Sequence, residues 1–390
     1  MRKAFFVSFP LCLLLAETVI PPSSNLHTEG VPPIPAALME DLDHYNNIRA
    51  ASLLDWHPVK REMLISTRFA DVPQIHRLAM PGGARMQLTF FPDRTAAALY
   101  RPGSGDSFVF AKDTGGGEFY QLYRFDARSS GITLLTDGHS RNTAPLWSHD
   151  GSLLAYSSTQ RNGRDTDVYV MSPDDPKSAR RVLEVEGGGW FAGAWSPDGS
   201  KIVVEDRRSV HDSSLYLVDV STGAKQLLTR EEGSYGNVQF AKNGKGLYLT
   251  TDRGSEFERV AYLDLATHEL TFLRPGQKWD AGELTLSEDG RRLAYALNED
   301  GFSKLVVMDT GTRQDLVLPA VPRGVISGLR WHHNGRDLGF SLSAARQPAD
   351  VYSIDVEKGT LDRWTESETG GLNAQTFGEP ELKDRKYSKK

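Results

Sequence analysis

Cysteine is almost missing from this sequence: 390 residues contain one, Cys12. A chain with a single cysteine forms no internal disulfide, and beyond position 12 it has neither a thiolate nucleophile nor a cysteine metal ligand. It would tolerate an oxidising compartment. A strong charge of one sign is lacking too. The formal net charge is -6, with no basic stripe interleaved with aromatics, which leaves no electrostatic case for nucleic acid. The apolar run from Ala4 to Leu15 is twelve residues long. A bilayer needs about 20, so no transmembrane segment is expected.

Signatures of chemistry are also absent. There is no Gly-x-Ser-x-Gly; the nearest misses, at Gly103 and Gly301, lie in strand-turn-strand rather than strand-to-helix context. There is no His-Glu-x-x-His. His332 and His333 are adjacent, so on a strand they face opposite ways and cannot share a metal; they read as turn residues. No phosphate loop is present, and the glycine run from Gly187 reads as an inter-unit connection with no helix behind it. Asp174–Asp175 and Glu231–Glu232 read as solvated loop acids. Asp113 and Glu118 flank three glycines in a segment that reads first as a plain hairpin loop and second as a ligand- or domain-contacting one. No catalytic, cofactor-binding or metal residue is assigned, and no cofactor is expected.

What is present is a repeat. A bulky apolar residue followed by Asp-Gly or Asn-Gly recurs at Trp147, Trp195, Phe240, Leu286 and Trp331, in steps of 48, 45, 46 and 45 residues. A fixed period of this size marks an architecture in which each unit buries its faces against its neighbours. The third unit gives the pattern: APLWSHDG leads into an Asp-Gly turn, LLAYSS returns, and DVYVMS and RRVLEV follow as third and fourth strands. Weaker copies occupy residues 56–89 and 91–136. The expected fold is therefore all-β: a seven-bladed β-propeller of four-stranded blades over 56–366. The leading tryptophans read as core residues between blades, and the Asp-Gly pairs as turns rather than calcium ligands. The first unit has no obvious strand to complete the last, so the ring is expected to close by packing without strand exchange.

Upstream, Arg2 and Lys3 followed by the apolar run match a secretory signal over 1–20, with a buried N-terminal segment as the alternative. That implies a periplasmic or secreted protein. Leu11 before Cys12 argues against a lipid anchor. Residues 21–35 read as a Pro-rich linker, and 36–55 as a helical segment opened by Pro35. Residues 367–390 read as the start of a further linker ending in an exposed basic tail from Leu382.

The segments between the repeats resemble one family. YNNIRAASLLDWHP (45–58), DTGGGEFYQLYRFD (113–126), SSTQRNGRDTDVYVM (157–171), TDRGSEFERVAYLDL (251–265) and RWTESETGGLN (363–373) resemble the N-terminal propeller of the prolyl oligopeptidase family of serine peptidases, particularly exported bacterial members. The resemblance spans roughly 36–382. It implies a propeller that covers an α/β-hydrolase domain carrying a Ser-Asp-His triad, restricts access to short or unfolded peptides, and packs a helical segment like 36–52 on that domain. The region that would hold the triad has no counterpart here, and neither has the family's amino-terminus-recognising glutamate pair. The first expectation is thus the substrate-gating propeller of such a peptidase, catalytically inactive alone, partnered by a hydrolase domain in cis or in trans and by peptide substrate. The alternative is a stand-alone exported TolB-like propeller that binds a peptide or protein.

Overall fold

The computed structural model describes residues 18–381. Within them lie seven antiparallel sheets of three or four strands, each made of strands consecutive in sequence, besides two short two-stranded pairs. The innermost strands are Ser52–Trp56, Thr95–Tyr100, Asn142–Trp147, Trp190–Trp195, Tyr235–Phe240, Ala281–Leu286 and Val325–Trp331. Each touches the next, and the last touches the first, so the sheets close as a ring about an axis. The expected seven-bladed propeller is the observed one.

Burial falls outward along each blade, and the sequence pattern follows. Second strands are sandwiched between neighbouring sheets, so runs such as Leu154–Ser158 and Ser107–Lys112 are buried at every position. Outer strands such as Ile132–Leu134 and Lys225–Leu227 are exposed throughout. The core is the set of interfaces between blades: Val168 and Val170 of blade three pack with Trp195, Ile202 and Val218 of blade four. The repeated tryptophans serve this packing. Trp147 Nε1 donates to Leu99 O at 3.2 Å, Trp195 Nε1 to Leu146 O at 3.1 Å, and Trp331 Nε1 to Thr285 O at 3.3 Å. Each indole thus bonds the inner strand of the preceding blade.

Turn chemistry follows the same grammar. Asp150 accepts from Ser148 Oγ at 2.6 Å and from Ser152 N at 3.0 Å, with Gly151 at φ 68°. Asp198 and Asp289 repeat the arrangement. At the turns before the fourth strands of blades two, four, five and seven, Asp126, Asp219, Asp264 and Asp355 each accept two backbone N–H groups. These oxygens are held by turn donors, the role expected of the Asp-Gly pairs.

Three features depart from expectation. Helix α1 is shorter than the segment assigned to it, running Ala36–Asn46, and blade one begins at Ser52 rather than at residue 56. The tryptophan ends its inner strand instead of starting the unit, so the LLDW stretch belongs to the sheet. Blade six has three strands, with a single Met308–Asp315 bridge in place of the fourth. Pro319 and Pro322 follow there, and proline has no N–H to add to a ladder. Finally, the segment expected as a linker loops between two short paired stretches, Val19–Ile20 and Ile34–Pro35.

The ring closes by packing without strand exchange, as expected. At the seam Trp56, Leu53 and Ile65 of blade one pack on Val351 and Trp364 of blade seven. Trp56 Nε1 donates to Arg330 O at 3.0 Å, and Leu53 N to Ser341 Oγ at 2.8 Å. Arg61 reaches Asp337 at 3.2 Å and Asp362 at 2.6 Å while lying 5.0 Å from the Trp364 ring. Beyond the seam, Ile48–Arg49 pairs with Glu368–Thr369, and the imidazole of His44 contacts Gly370 O at 3.0 Å. This small clasp ties the entry of the propeller to its exit.

Candidate functional site

Antiparallel succession gives the propeller two unlike ends. The first-to-second and third-to-fourth connections emerge at one end, here called the turn face. The second-to-third connections, the links between blades and helix α1 emerge at the other, the loop face. The turn face is nearly uniform. On the loop face, blades one, two, three and five carry loops at 68–73, 113–120, 159–166 and 252–258. Blades four, six and seven instead extend their strands to two-residue turns at Val210–His211, Asp300–Gly301 and Ala345–Arg346.

The loop of blade two holds Asp113 and Glu118, and it separates them. Asp113 is buried and accepts from Glu118 N at 3.0 Å. Glu118, at φ 60°, turns outward to Arg141 at 3.3 Å. The loop is anchored by Gly115 N donating to Asp93 Oδ1 at 3.0 Å and by the buried Lys112 donating to Asp113 O at 2.8 Å. The loop is thus tied at its base and presents Phe119 outward. Blade three has a network the sequence reading missed. Arg161 bonds Asp167 at 2.7 Å and Asp165 at 3.1 Å, and Asp165 also accepts from Gly187 N at 2.9 Å. The hydrogen bonds from Arg164 and Asn162 hold the Asp165 carboxyl well below the usual range. The glycine run from Gly187 is thereby fixed to a loop. Arg-x-x-x-Asp-x-Asp was the available signal.

The acids read as solvated are exposed as expected, and two of them also pair. Arg101 and Arg124, both of blade two, lie 2.9 Å and 2.5 Å from Asp174. Glu231 pairs with Arg253 across blades four and five. His332 and His333 follow the inner strand of blade seven, at its turn, as expected. His332 is buried against Trp56, with ring centroids 5.2 Å apart.

The channel wall has its own regularity. All seven inner strands carry a register shift, at 53/55, 96/99, 143/146, 192/194, 236/239, 282/285 and 327/330. Ala97, Ala144, Asn237, Glu283 and Gly328 take positive φ there. Bulges re-aim side chains and sharpen the twist. Glu283 uses its bulge to reach the next blade, accepting from Gly328 N at 2.7 Å. Asp55, on the inner strand of blade one, accepts from Tyr100 N at 2.8 Å. Burial pushes its carboxyl up to about 6, with the charge of Arg330 opposing. In blade four burial likewise raises Glu205, against the guanidinium of Arg207 at 2.7 Å.

No hydroxyl bonds a histidine ring among the described residues, and His211 with Asp252 at 3.2 Å is their one histidine–carboxylate pair. No three metal-binding side chains converge among them. Among the described residues no helix is long and apolar enough to cross a membrane. What the loop face does offer is exposed apolar surface. Phe69, Phe119 and Val210 project from its loops, Phe90 and Trp279 from its inter-blade links, Val325 from the start of the inner strand of blade seven, and Leu38, Met39, Leu42 and Tyr45 from α1, none of whose residues is buried. The turn face exposes only Val59 and Met80 among its connections.

Comparison with known proteins agrees with this architecture. Residues 97–367 match the family model described as prolyl oligopeptidase, N-terminal beta-propeller domain. An uncharacterized peptidase, YuxL, of Bacillus subtilis is 27% identical over 187 residues, covering 45% of this chain and 25% of that protein. Dipeptidyl aminopeptidase BIII of Pseudoxanthomonas mexicana is 24% identical over 280 residues, covering 68% of this chain and 38% of that protein. Among solved structures, one from a study of two prolyl endopeptidases superposes with a TM-score of 0.70 at 16% identity, over 87% of this chain and 53% of the other. That last likeness is one of fold. The chain spans between a quarter and about half the length of these relatives. With most of its length matched by the family's propeller model, the chain belongs to the prolyl oligopeptidase family and carries its N-terminal β-propeller domain.

Proposed function

We propose that this chain is the substrate-gating propeller of a prolyl oligopeptidase-type serine peptidase. Its loop face packs on an α/β-hydrolase domain supplied in cis or in trans, and its own residues take no part in bond cleavage. One observation carries the reading: exposed apolar side chains of α1, Phe69, Phe90, Phe119 and Val210 all stand on the loop face. A face that leaves this many large apolar side chains uncovered is a candidate interaction surface. The clasp between Ile48–Arg49 and Glu368–Thr369 fixes α1 to that face. The channel, lined by the seven bulged inner strands, then admits short or unfolded peptides and excludes folded ones. By the same reading residues 1–20 are an export signal, and N-terminal sequencing of the exported protein should begin downstream of them.

The test uses the purified chain and the separately expressed hydrolase domain of the Pseudoxanthomonas mexicana relative. Alone, the chain should neither turn over a glycylproline anilide nor accept a fluorophosphonate label on serine. Mixed with the hydrolase domain it should form a one-to-one complex on size exclusion. The double change Leu42→Asp and Phe119→Asp should abolish that complex. Labelling of the chain itself would overturn the inactive role. A chain that stays monomeric beside the hydrolase domain would favour the stand-alone binding protein.

A further inference from the structure

The second residue after each inner strand lies at the turn-face mouth of the channel. Read around the ring these residues are Pro58, Pro102, His149, Pro197, Lys242, Glu288 and His333. Three prolines give rigid rim, and the two charged residues fall in adjacent blades, five and six. Lys242 Nζ lies 2.9 Å from Glu288 Oε1. The pair is placed by packing: Gly290 of blade six, at φ 74°, lies so close to blade five that a Cβ there would meet Lys242 Cβ at 2.6 Å.

Directly behind the pair is a cavity of about 170 Å³ within the channel, bounded by the inner strands of blades three to six. Trp147, Trp195, Phe240 and Leu286 line it, with His149 at its edge, where the imidazole contacts Trp195 O at 3.3 Å. A cavity that joins apolar walls to a few convergent polar groups is the usual form of a small-ligand site. Here the charged groups are one ammonium and one carboxylate side by side, with Gln239 and Ser287 also lining the cavity. Both are about half exposed, with side-chain accessibilities of 53% and 43%, and an ion pair in that setting contributes little by itself. A ligand that presents the opposite pair of charges can exchange with it.

We propose that this mouth binds the charged ends of a short free peptide, Lys242 taking the terminal carboxylate and Glu288 the terminal ammonium, with an apolar side chain in the cavity behind. The ligand class is a zwitterionic di- or tripeptide. Its identity as a fragment released by the peptidase rests on the function proposed above; the recognition itself does not.

The test is an NMR titration of the full chain, ¹⁵N-labelled at tryptophan, whose seven indoles include two that line the cavity. Glycylproline should shift the Trp147 and Trp195 signals saturably. N-acetyl-glycylproline amide, which lacks both charges, should bind at least about tenfold more weakly, the effect of losing charged hydrogen bonds. Lys242→Gln and Glu288→Gln should each weaken glycylproline several-fold, and the swap Lys242→Glu with Glu288→Lys should restore it in the reversed orientation. Equal shifts from the free and the blocked peptide would overturn the proposal. So would shifts indifferent to both single changes, or none at tens of millimolar peptide. Because only this chain is present, a negative result with an intact hydrolase complex removes the site alone, and binding without that complex leaves the site standing.

Discussion

The two ends of the propeller share one chain and one repeat, yet only one of them obeys it. At the turn face, Asp-Gly turns recur with the same serine and backbone donors at Asp150, Asp198 and Asp289. Two of their glycines fit against the preceding blade, Gly151 on Pro102 and Gly290 on Lys242, whereas Gly199 has nothing within 4 Å. At the loop face no two long loops are alike, and apolar side chains stand uncovered. The repeat is what folding requires, and a region freed from it has been shaped by something else. The difference is the ground on which the loop face, rather than the turn face, is proposed as the partner surface.

The largest effect should come from the repeat itself. Trp56→Ala empties a fully buried site at the seam and removes the bond to Arg330 O; a loss of about 3–5 kcal/mol is expected by denaturant unfolding. If the ring were closed by strand exchange the loss would be no worse at the seam than for Trp195→Ala, so the pair of variants compares seam with interior. Second, Gly290→Ala puts a side chain at positive φ against Lys242. It should cost about 1–2 kcal/mol, whereas Gly116→Ala, at φ 74° in the open loop of blade two with nothing within 4 Å, should cost only the strain.

The third test uses pH. The folded-state carboxyl of Asp55 lies near 6, above its unfolded value. The unfolded chain then loses its proton first, so stability falls as pH rises from about 4 to about 6. Asp55→Asn should flatten that slope in unfolding curves taken across the window. The turn aspartates act oppositely. Hydrogen bonds from Ser196 and Ser200 hold Asp198 down at about 2, and those from Ser221 and Thr222 do the same for Asp219. Their contribution is present above the unfolded value near 4 and is lost as pH falls through about 2. Smallest in stability is the loop face: Phe119→Asp and Leu42→Asp should each change unfolding by less than about 0.5 kcal/mol, while both weaken hydrolase binding. Destabilisation there equal to that of Gly290→Ala would erase the contrast between the faces.

Much of the fold was legible because it is written in period and turn chemistry. The tryptophans, the Asp-Gly turns and six of the seven fourth strands follow from residues read locally, whereas closure by packing was only favoured by the lack of a strand to complete the last blade. Side-chain partners were not legible. Asp174 meets Arg124 fifty positions away in the neighbouring blade, and a period states that blades adjoin without stating which charges meet. The bulges at Ala97 and Ala144 were hidden because alanine gives no sign of positive φ. The apolar loop face was hidden for a related reason: Phe69, Phe90 and Phe119 look like strand residues until the sheets show them left outside. Blade six could have been read better, since Pro319 stands where Thr136 and Thr229 end their blades.

The clasp that joins Ile48–Arg49 to Glu368–Thr369 has a consequence for how such a module travels through protein evolution. Paired strands lie about 4.8 Å apart, so the chain leaves the propeller almost where it entered. A host domain could therefore accept the whole ring inside one of its surface loops, much as a bead is tied into a thread, and keep its own fold undisturbed.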